Sequence, residues 1–533
     1  MTKLVSKHTA WFRFLAISLL VLGIVLRFVN LDHKVYWHDE TYTSLVIAGY
    51  TQKEFVQQVF DGRVIGVEDL QKYQRPNPNK GLRDTLTSLA IDNPQHFPLY
   101  YVTAKFWVQM YMFGNIVAVI RSLSVLISLL IFPCIYWLCL ELFESPLVGW
   151  VAIAVLSVSP FHVLYAQEAR PYSLWTVTTL LSSAALLRAL RLSTRLNWGI
   201  YAVTLALSFY SYLFSGFVAI AHGIYVAALD GFRLTQKKIA YILAAIAGLL
   251  AFFPWLFIFV SHLYSVAGVT SWTAIKMPLF ALIRIWLGNL SRLFFDINLD
   301  SNAPLIYILI APAIAFVLIL YSLYFVYRQA PQRTRLFIFL LIGVNALALI
   351  LPDLILGGRR SSVSRYLIPC YLGIQLAVSY LLAEKLRYQQ SDKVFSSKLS
   401  TQTLWQVVLV TVISCGVVSN IFIAQADTWW IKKNSHNHPQ AARIINRSPR
   451  PLLVSSDYNV NVGEILSFSY LLNPKTKLQL VTEPTIPQIP EGFSDLFIFN
   501  LSRSLREKLA NQQNYKIQTV QPSKLRLGKL IKQ

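Results

Sequence analysis

Runs of about 20 apolar residues recur along this chain, and few folds accommodate them. The hydrocarbon core of a bilayer is about 30 Å thick, so each run reads as a helix able to cross it. Eleven candidate spans appear, at 11–30, 117–140, 147–164, 172–190, 197–213, 215–230, 239–260, 304–327, 335–352, 365–384 and 403–424. With 55% hydrophobic and 14% charged residues, the composition departs from that of soluble domains in the same direction. The fold class expected is an all-α polytopic membrane protein of about 11 transmembrane helices. It carries a long first outer loop and a small C-terminal α/β soluble domain. The first run is not followed by a small-x-small cleavage site, so it reads as an uncleaved anchor.

A formal charge of +23 could point to nucleic acid. No zinc-finger spacing or basic-aromatic platform accompanies it, so nucleic acid is not an expected partner. In a multi-span chain, basic residues instead mark cytoplasmic loops. Lys3, Lys7 and Arg13 place the N-terminus inside. The apolar stretch 97–113 is short and carries Lys105 and Gln109. If it does not cross, clusters at Arg188/Arg191/Arg195, Arg233/Lys237/Lys238, Arg328/Arg333/Arg335 and Lys385/Arg387/Lys393/Lys398 all face inward. If it crosses, all four face outward, against the positive-inside rule. It is therefore expected to lie in the interface. The same parity puts residues 31–95, the connection after Leu164, the loops 261–303 and 353–364, and the tail from 425 on the outer side.

The first outer loop is polar, with turn signals at Asp61-Gly62, Pro76-Asn77-Pro78-Asn79 and Asn93-Pro94, and loops this long are usually functional. Beyond Trp429-Trp430 the pattern changes. Strand-like runs at 452–454, 478–481 and 496–500 and helix-like stretches at 461–472 and 502–510 predict a small α/β domain. The division expected is a transmembrane domain at 1–424, with 31–116 as first outer loop and interfacial helices, and an outer soluble domain at 425–533. Cys134, Cys139, Cys370 and Cys415 all sit in apolar runs and read as small core residues rather than a disulfide framework.

Four polar constellations fall on the outer side. Asp39-Glu40, in Trp37-His38-Asp39-Glu40, sits just past the first span. Adjacent acids repel unless a cation, a proton donor or water separates them. One reading is local, with Asp39 capping a helix that starts at Glu40; the other is chemical. His96-Phe97-Pro98-Leu99-Tyr100-Tyr101 opens the interfacial stretch. Gln167-Glu168-Ala169-Arg170-Pro171-Tyr172 occupies a very short connection between spans, where charge is costly unless it is paired. A structural Glu168–Arg170 bridge would account for that motif as well. Arg359, Arg360 and Arg365, with Tyr366 following, break the orientation rule. They call for an anionic partner, and arginine forks match phosphate. The 261–303 loop, with Trp272, Lys276, Arg284 and Arg292, is amphipathic and is a candidate lining for lipid-tail entry.

The spans, the acidic pair, the His-x-Pro-Leu-Tyr-Tyr element and the Gln-Glu-Ala-Arg-Pro-Tyr element together resemble membrane glycosyltransferases of the C-type fold. The group is that of protein O-mannosyltransferases and bacterial aminoarabinose transferases (glycosyltransferase family 39-like), and the resemblance spans about residues 10–385. Phe97 stands where the family pattern has a first proline. The resemblance implies that Asp39 is the catalytic base with Glu40 beside it. It likewise implies that His96, Tyr100, Gln167, Glu168, Arg170, Tyr172, Arg359, Arg360, Arg365 and Tyr366 bind substrate. The implied reaction is inverting transfer of a sugar from a polyprenyl-phosphate donor to a hydroxyl or amine of a glycan, lipid or protein acceptor. The implied place is the bacterial inner membrane, with the site facing the periplasm. A divalent cation at Asp39, Glu40 or Glu168 is left open. The tandem acids, the Glu-Arg couple and the outer arginines are expected to share one pocket.

Two other classes use similar parts. A polyprenyl-linked glycan flippase also holds charge among its spans, although transporters usually show repeated halves and none is visible. A non-catalytic envelope-assembly protein would use the long loop and tail as docking surfaces.

Overall fold

The structure is a computed structural model. It describes residues 2–111, 114–229, 231, 233–298, 305–387, 398–512 and 515–533, without the side chains of 2–12, 305–308 and 398–401. The chain divides into two compact units. One comprises Met1–Val29, Gln95–Tyr100 and Arg121–Ala424; the other comprises Asn30–Pro94, Tyr101–Ile120 and Gln425–Gln533.

The first unit is helical. Among the described residues seven helices are long and apolar enough to cross a bilayer, or nine if each of two bent pairs counts as one. Expected spans outside that number are 11–30, whose first side chains are not described, and the helices Arg195–Ser211 and Ser215–Leu229. These last have 17 and 15 residues. The chain is a multi-span membrane protein, as its apolar runs suggest.

The expected span 147–164 is broken. Pro146–Val158 and Pro160–Ala166 meet at 61°. Ser159, at φ −61° and ψ 117°, takes the extended backbone that a following proline favours. Pro160 has no N–H, so the Leu156 carbonyl loses its helical donor. Inside a membrane protein such a group must find another partner. Arg27, fully buried, donates through Nη2 to Leu156 O at 3.1 Å and through Nη1 to Ser157 O at 2.8 Å. Asn420 Nδ2 takes the Val158 carbonyl at 2.7 Å. The break is thus stitched by side chains of two other helices, and it delivers the chain to residues 165–172.

The 261–303 segment, read as an outer loop, holds the second bent pair. Leu263–Ala274 and Leu279–Ser291 turn through 96°, a broken span or a re-entrant loop. Trp286 Nε1 donates to Ser361 Oγ at 3.0 Å and Asn289 Nδ2 to Ser362 O at 3.3 Å. The 353–364 connection is anchored there.

The second unit is built on a six-stranded sheet: β1 (Asp61–Gly66), β2 (Pro451–Ser456), β3 (Lys477–Val481), β4 (Asp495–Phe499), β5 (Tyr515–Thr519) and β6 (Leu527–Lys532), in the order β1-β3-β2-β4-β6-β5. Strand β2 pairs in parallel with β3 and β4, and the outer pairings are antiparallel. Side chains alternate across the sheet. Leu453, Leu478, Leu480 and Phe497 pack with Phe55, Leu70, Ile465 and Phe468 on one face. On the other, Leu452, Val454 and Ile498 pack with Leu505 and Leu509.

The first outer loop, expected to belong with the membrane domain, lies in one compact unit with the tail. Its strand β1 extends the open edge of β3, with Asp61 opposite Val481 and Gly66 opposite Lys477. Residues 30–94 fold with the tail because an unpaired sheet edge is satisfied by backbone hydrogen bonds whichever part of the chain supplies them. The interfacial stretch forms a helix, Pro98–Met110. At about 20 Å it is too short to cross by itself.

Candidate active site

In the second unit, Trp37 is extended (φ −88°, ψ 168°) and caps a helix running from His38 to Ala48. Gly49 closes it in the left-handed region at φ 90°, where glycine carries no Cβ penalty. The local reading, in which Asp39 capped a helix starting at Glu40, is two residues out of place. Glu40 is the third helical residue, and its Oε2 accepts from Trp37 N at 3.4 Å.

Successive residues on a helix diverge by about 100°, and the tandem acids meet different fates. Glu40 is fully buried. Its Oε2 lies 2.9 Å from Lys432 Nζ, itself only 1% exposed, with the ammonium 5.5 Å from the centre of the Trp37 ring. Asp39 remains partly exposed. The repulsion expected of adjacent carboxylates is relieved by giving one of them a buried cation. That same cation occupies one of the three carboxylates considered for a metal. Among the described residues no group of three His, Cys, Asp or Glu side chains is arranged to hold a metal ion.

His38 lies on the other side of Asp39 in sequence. Its Nδ1 is 3.3 Å from Glu464 Oε1, and His438 Nε2 is 3.1 Å from Glu464 Oε2. Ser435 Oγ donates to Glu464 Oε1 at 3.3 Å and accepts from His38 N at 3.1 Å. Burial alone would raise the Glu464 pKa, but the contacts and charges of His38 and His438 outweigh it and bring it to about 2. Gly463 makes room for this. A Cβ there would fall 2.6 Å from His38 Nδ1 and from the Tyr42 ring.

Lys432, His438 and Glu464 were not anticipated. Glu464 left a signal, as a lone acid in the apolar stretch Val462–Phe468; Lys432, beside Lys433, left none.

In the first unit, the Pro160–Ala166 helix ends at Gln167. Its Nε2 donates to the carbonyls of Leu26, Arg27 and Val29 at 3.1, 3.2 and 3.0 Å, which satisfies carbonyls left over where the first helix ends. Glu168 and Arg170 are buried. Arg170 Nη2 lies 3.0 Å from His96 Nε2, and Arg170 N donates to Glu168 O at 2.7 Å. The Tyr172 ring centre is 6.0 Å from the Arg170 guanidinium and 5.8 Å from that of Arg365, which is also 5.5 Å from Tyr366. Tyr165 Oη and Ser364 Oγ hydrogen-bond at 2.8 Å. His96, Arg170, Tyr172, Arg365 and Tyr366, far apart in sequence, are thus gathered in one cationic, aromatic-walled cluster.

The remaining predicted residues lie elsewhere in the unit. Tyr100 is fully buried, with Oη 2.7 Å from Ser124 Oγ. Arg359 sits over Trp272 at 5.9 Å, and its backbone N–H donates to Thr273 O at 2.8 Å. Arg360 has an anionic partner within the chain, the fully buried Asp353, 3.1 Å from Nη1. The outer arginines, read as three equivalent phosphate ligands, divide into one that joins the cluster, one above a tryptophan and one that anchors a loop.

Residues 97–258 match the family model described as dolichyl-phosphate-mannose-protein mannosyltransferase. That segment includes the 97–101 and 167–172 elements and leaves out Asp39-Glu40. No curated protein matches the sequence. Among solved structures, ArnT from Cupriavidus metallidurans bound to undecaprenyl phosphate aligns over 98% of both chains, with a TM-score of 0.54 and 11% identity. The apo form of the same protein aligns over 98% of both chains at 0.53 and 10%. The chain therefore has the fold of ArnT, a C-type membrane glycosyltransferase, and over 97–258 it is similar to the dolichyl-phosphate-mannose-protein mannosyltransferases.

Proposed function

We propose that this protein transfers a sugar, with inversion, from a polyprenyl-phosphate donor to an acceptor hydroxyl or amine at the outer face of a bacterial inner membrane. The fold supports it, shared over nearly the whole chain with a protein seen bound to undecaprenyl phosphate. The observation that carries it is the separation of the tandem acids: Glu40 is neutralised by Lys432, and Asp39 stays accessible beside it. A base must be reachable by the acceptor, and of the two acids Asp39 is the one that is not fully buried. It removes the acceptor's proton as that atom attacks the anomeric carbon opposite the phosphate. The Arg170–Arg365 cluster suits the phosphate, because guanidinium groups compensate the charge that grows on a departing oxygen. The Tyr172 and Tyr366 rings lie within cation–π reach of those guanidinium groups.

The test uses purified protein and a mixture of polyprenyl-phosphate sugars, reading released polyprenyl phosphate. Asp39→Asn should lower release by about 10²–10⁴-fold, the usual contribution of a positioned base, while leaving the protein folded. Release that survives the substitution removes Asp39 from the role. Movement of the lipid across a vesicle without bond cleavage would favour a flippase.

A further inference from the structure

Both neighbours of Asp39 are tied to the C-terminal tail. Glu40 bonds Lys432 in the turn Trp430–Ser435. His38 reaches Glu464 in the helix Asn461–Ser469, and His438, at the start of the helix His438–Asn446, holds Glu464 from the far side. Glu40, Lys432, Glu464 and His438 are all buried.

Stability is a poor reason for a buried ion pair here. Desolvating both charges offsets most of their attraction, and an apolar pair of similar volume commonly serves as well or better. What a charged pair adds is register, because it has one satisfied geometry where apolar side chains slide. Glu40 Oε2 has to meet both Lys432 Nζ and the Trp37 N–H, which fixes the rotation of the helix about its axis at its first turn. His38 fixes the same turn from one residue before Asp39. The two together set the direction in which the Asp39 side chain leaves the helix.

We propose that Lys432 is a positioning residue for the transfer reaction, acting through Glu40 with the Glu464 bridge as second tie, so that the soluble tail is a working part of the enzyme. This rests on the reading of Asp39 as base.

The experiment uses the full-length protein with Lys432→Arg, Lys432→Met, the double variant Lys432→Met/Glu40→Met, and Asp39→Asn for reference. Each is measured for kcat and KM in polyprenyl phosphate release and for thermal unfolding. Lys432→Met should lower kcat by about 10- to 100-fold, the scale of a misplacement near 1 Å, with donor KM changed less than about threefold. Lys432→Arg should recover much of the loss. The double variant removes the orphaned carboxylate, so it should regain thermal stability and still lack kcat, which keeps the test valid if Lys432→Met fails to fold. Full recovery of kcat in the double variant, or an unchanged kcat in folded Lys432→Met, overturns the proposal. If Asp39→Asn is also silent, the base assignment has failed; if Asp39→Asn is inactive while Lys432→Met is not, only the positioning role has.

Discussion

Replacing Asp353 by alanine should loosen residues 359–364 far more than removing the Arg360 guanidinium. The Asp353 side chain is fully buried and accepts four hydrogen bonds. Arg360 donates from N at 3.0 Å and from Nη1 at 3.1 Å, and Ser361 donates from N and Oγ, both at 2.7 Å. Alanine deletes every acceptor and strands a cation and two amides, and breaking a buried pair in this way costs about 3–5 kcal/mol. Arg360→Met deletes a single donor, from a side chain 30% exposed, and Asp353 keeps the other three. A hydrogen bond to a charged group is worth about 1.5–3 kcal/mol, and discounting for solvent leaves roughly 1 kcal/mol. Amide hydrogen exchange at 359–364 should then accelerate by roughly 10²–10⁴-fold in Asp353→Ala and by about 5-fold in Arg360→Met, at about 1.4 kcal/mol per decade. Equal acceleration in the two variants refutes the reasoning. So does a tenfold loss of donor affinity in Arg360→Met with exchange unchanged, which would return Arg360 to the phosphate.

Gln167→Leu takes the donor from three carbonyls at the end of the first helix; it should cost about 1–3 kcal/mol, read as a lower unfolding temperature in detergent, and an unchanged temperature would show those carbonyls satisfied by other means. Gly463→Ala puts a methyl group 2.6 Å from His38 Nδ1 and the Tyr42 ring; overpacking of that kind costs about 1–3 kcal/mol, and release of polyprenyl phosphate should fall with it, whereas full activity would mean that His38 can shift freely. Glu464, faced by His38, His438, Ser435 and Tyr42, has its pKa lowered to about 2 in the folded protein, against about 4.3 for an unperturbed glutamate. The unfolded chain therefore binds the proton first, so the stabilisation is complete above about 4.3 and is lost as pH falls toward 2. Acid unfolding of the wild type should show this dependence, and Glu464→Gln should lack it; identical curves would deny the bridge its electrostatic role.

Patterns that repeat locally were legible in the sequence. Apolar runs announced the helices, and short strand-like runs found β2, β3 and β4 within a residue or two. The run at 147–164 hid its break, although Ser159-Pro160 stood in it, because length outweighs a single proline in a hydropathy window. Strand β1 was hidden for another reason. A short polar strand such as Asp61–Gly66 has no apolar face to betray it, and what makes it a strand is the edge of β3, more than 400 residues away. Orientation rules fared unevenly on the arginines. They flagged Arg359, Arg360 and Arg365 as needing anions, yet the anion for Arg360 was seven residues upstream at Asp353, in the same outer loop.

The tandem acids show most clearly where such reading stops. Two carboxylates in sequence are chemically alike, and any rule of spacing or propensity treats them alike. The distinction comes from one helical step of about 100° and from what lies along each direction. One points at Lys432, distant in the chain, and the other stays partly exposed. A cation buried 392 positions away leaves no trace in the local pattern, so that pattern could nominate the pair and only the family resemblance ranked its members. The asymmetry also makes a demand of its own. If Glu40 serves chiefly to receive Lys432, the thermal stability lost in Glu40→Gln should be recovered in part by Lys432→Met, which removes the ammonium left without its carboxylate, while kcat stays low. Asp39→Asn should lose kcat while keeping its stability, and Lys432→Met should not restore that kcat. Partial recovery confined to the Glu40 series would separate the two acids by function as burial already separates them by environment. Recovery of Asp39→Asn by a change at Lys432 would mean that the acids share one role, and the assignment of Asp39 as sole base would fall.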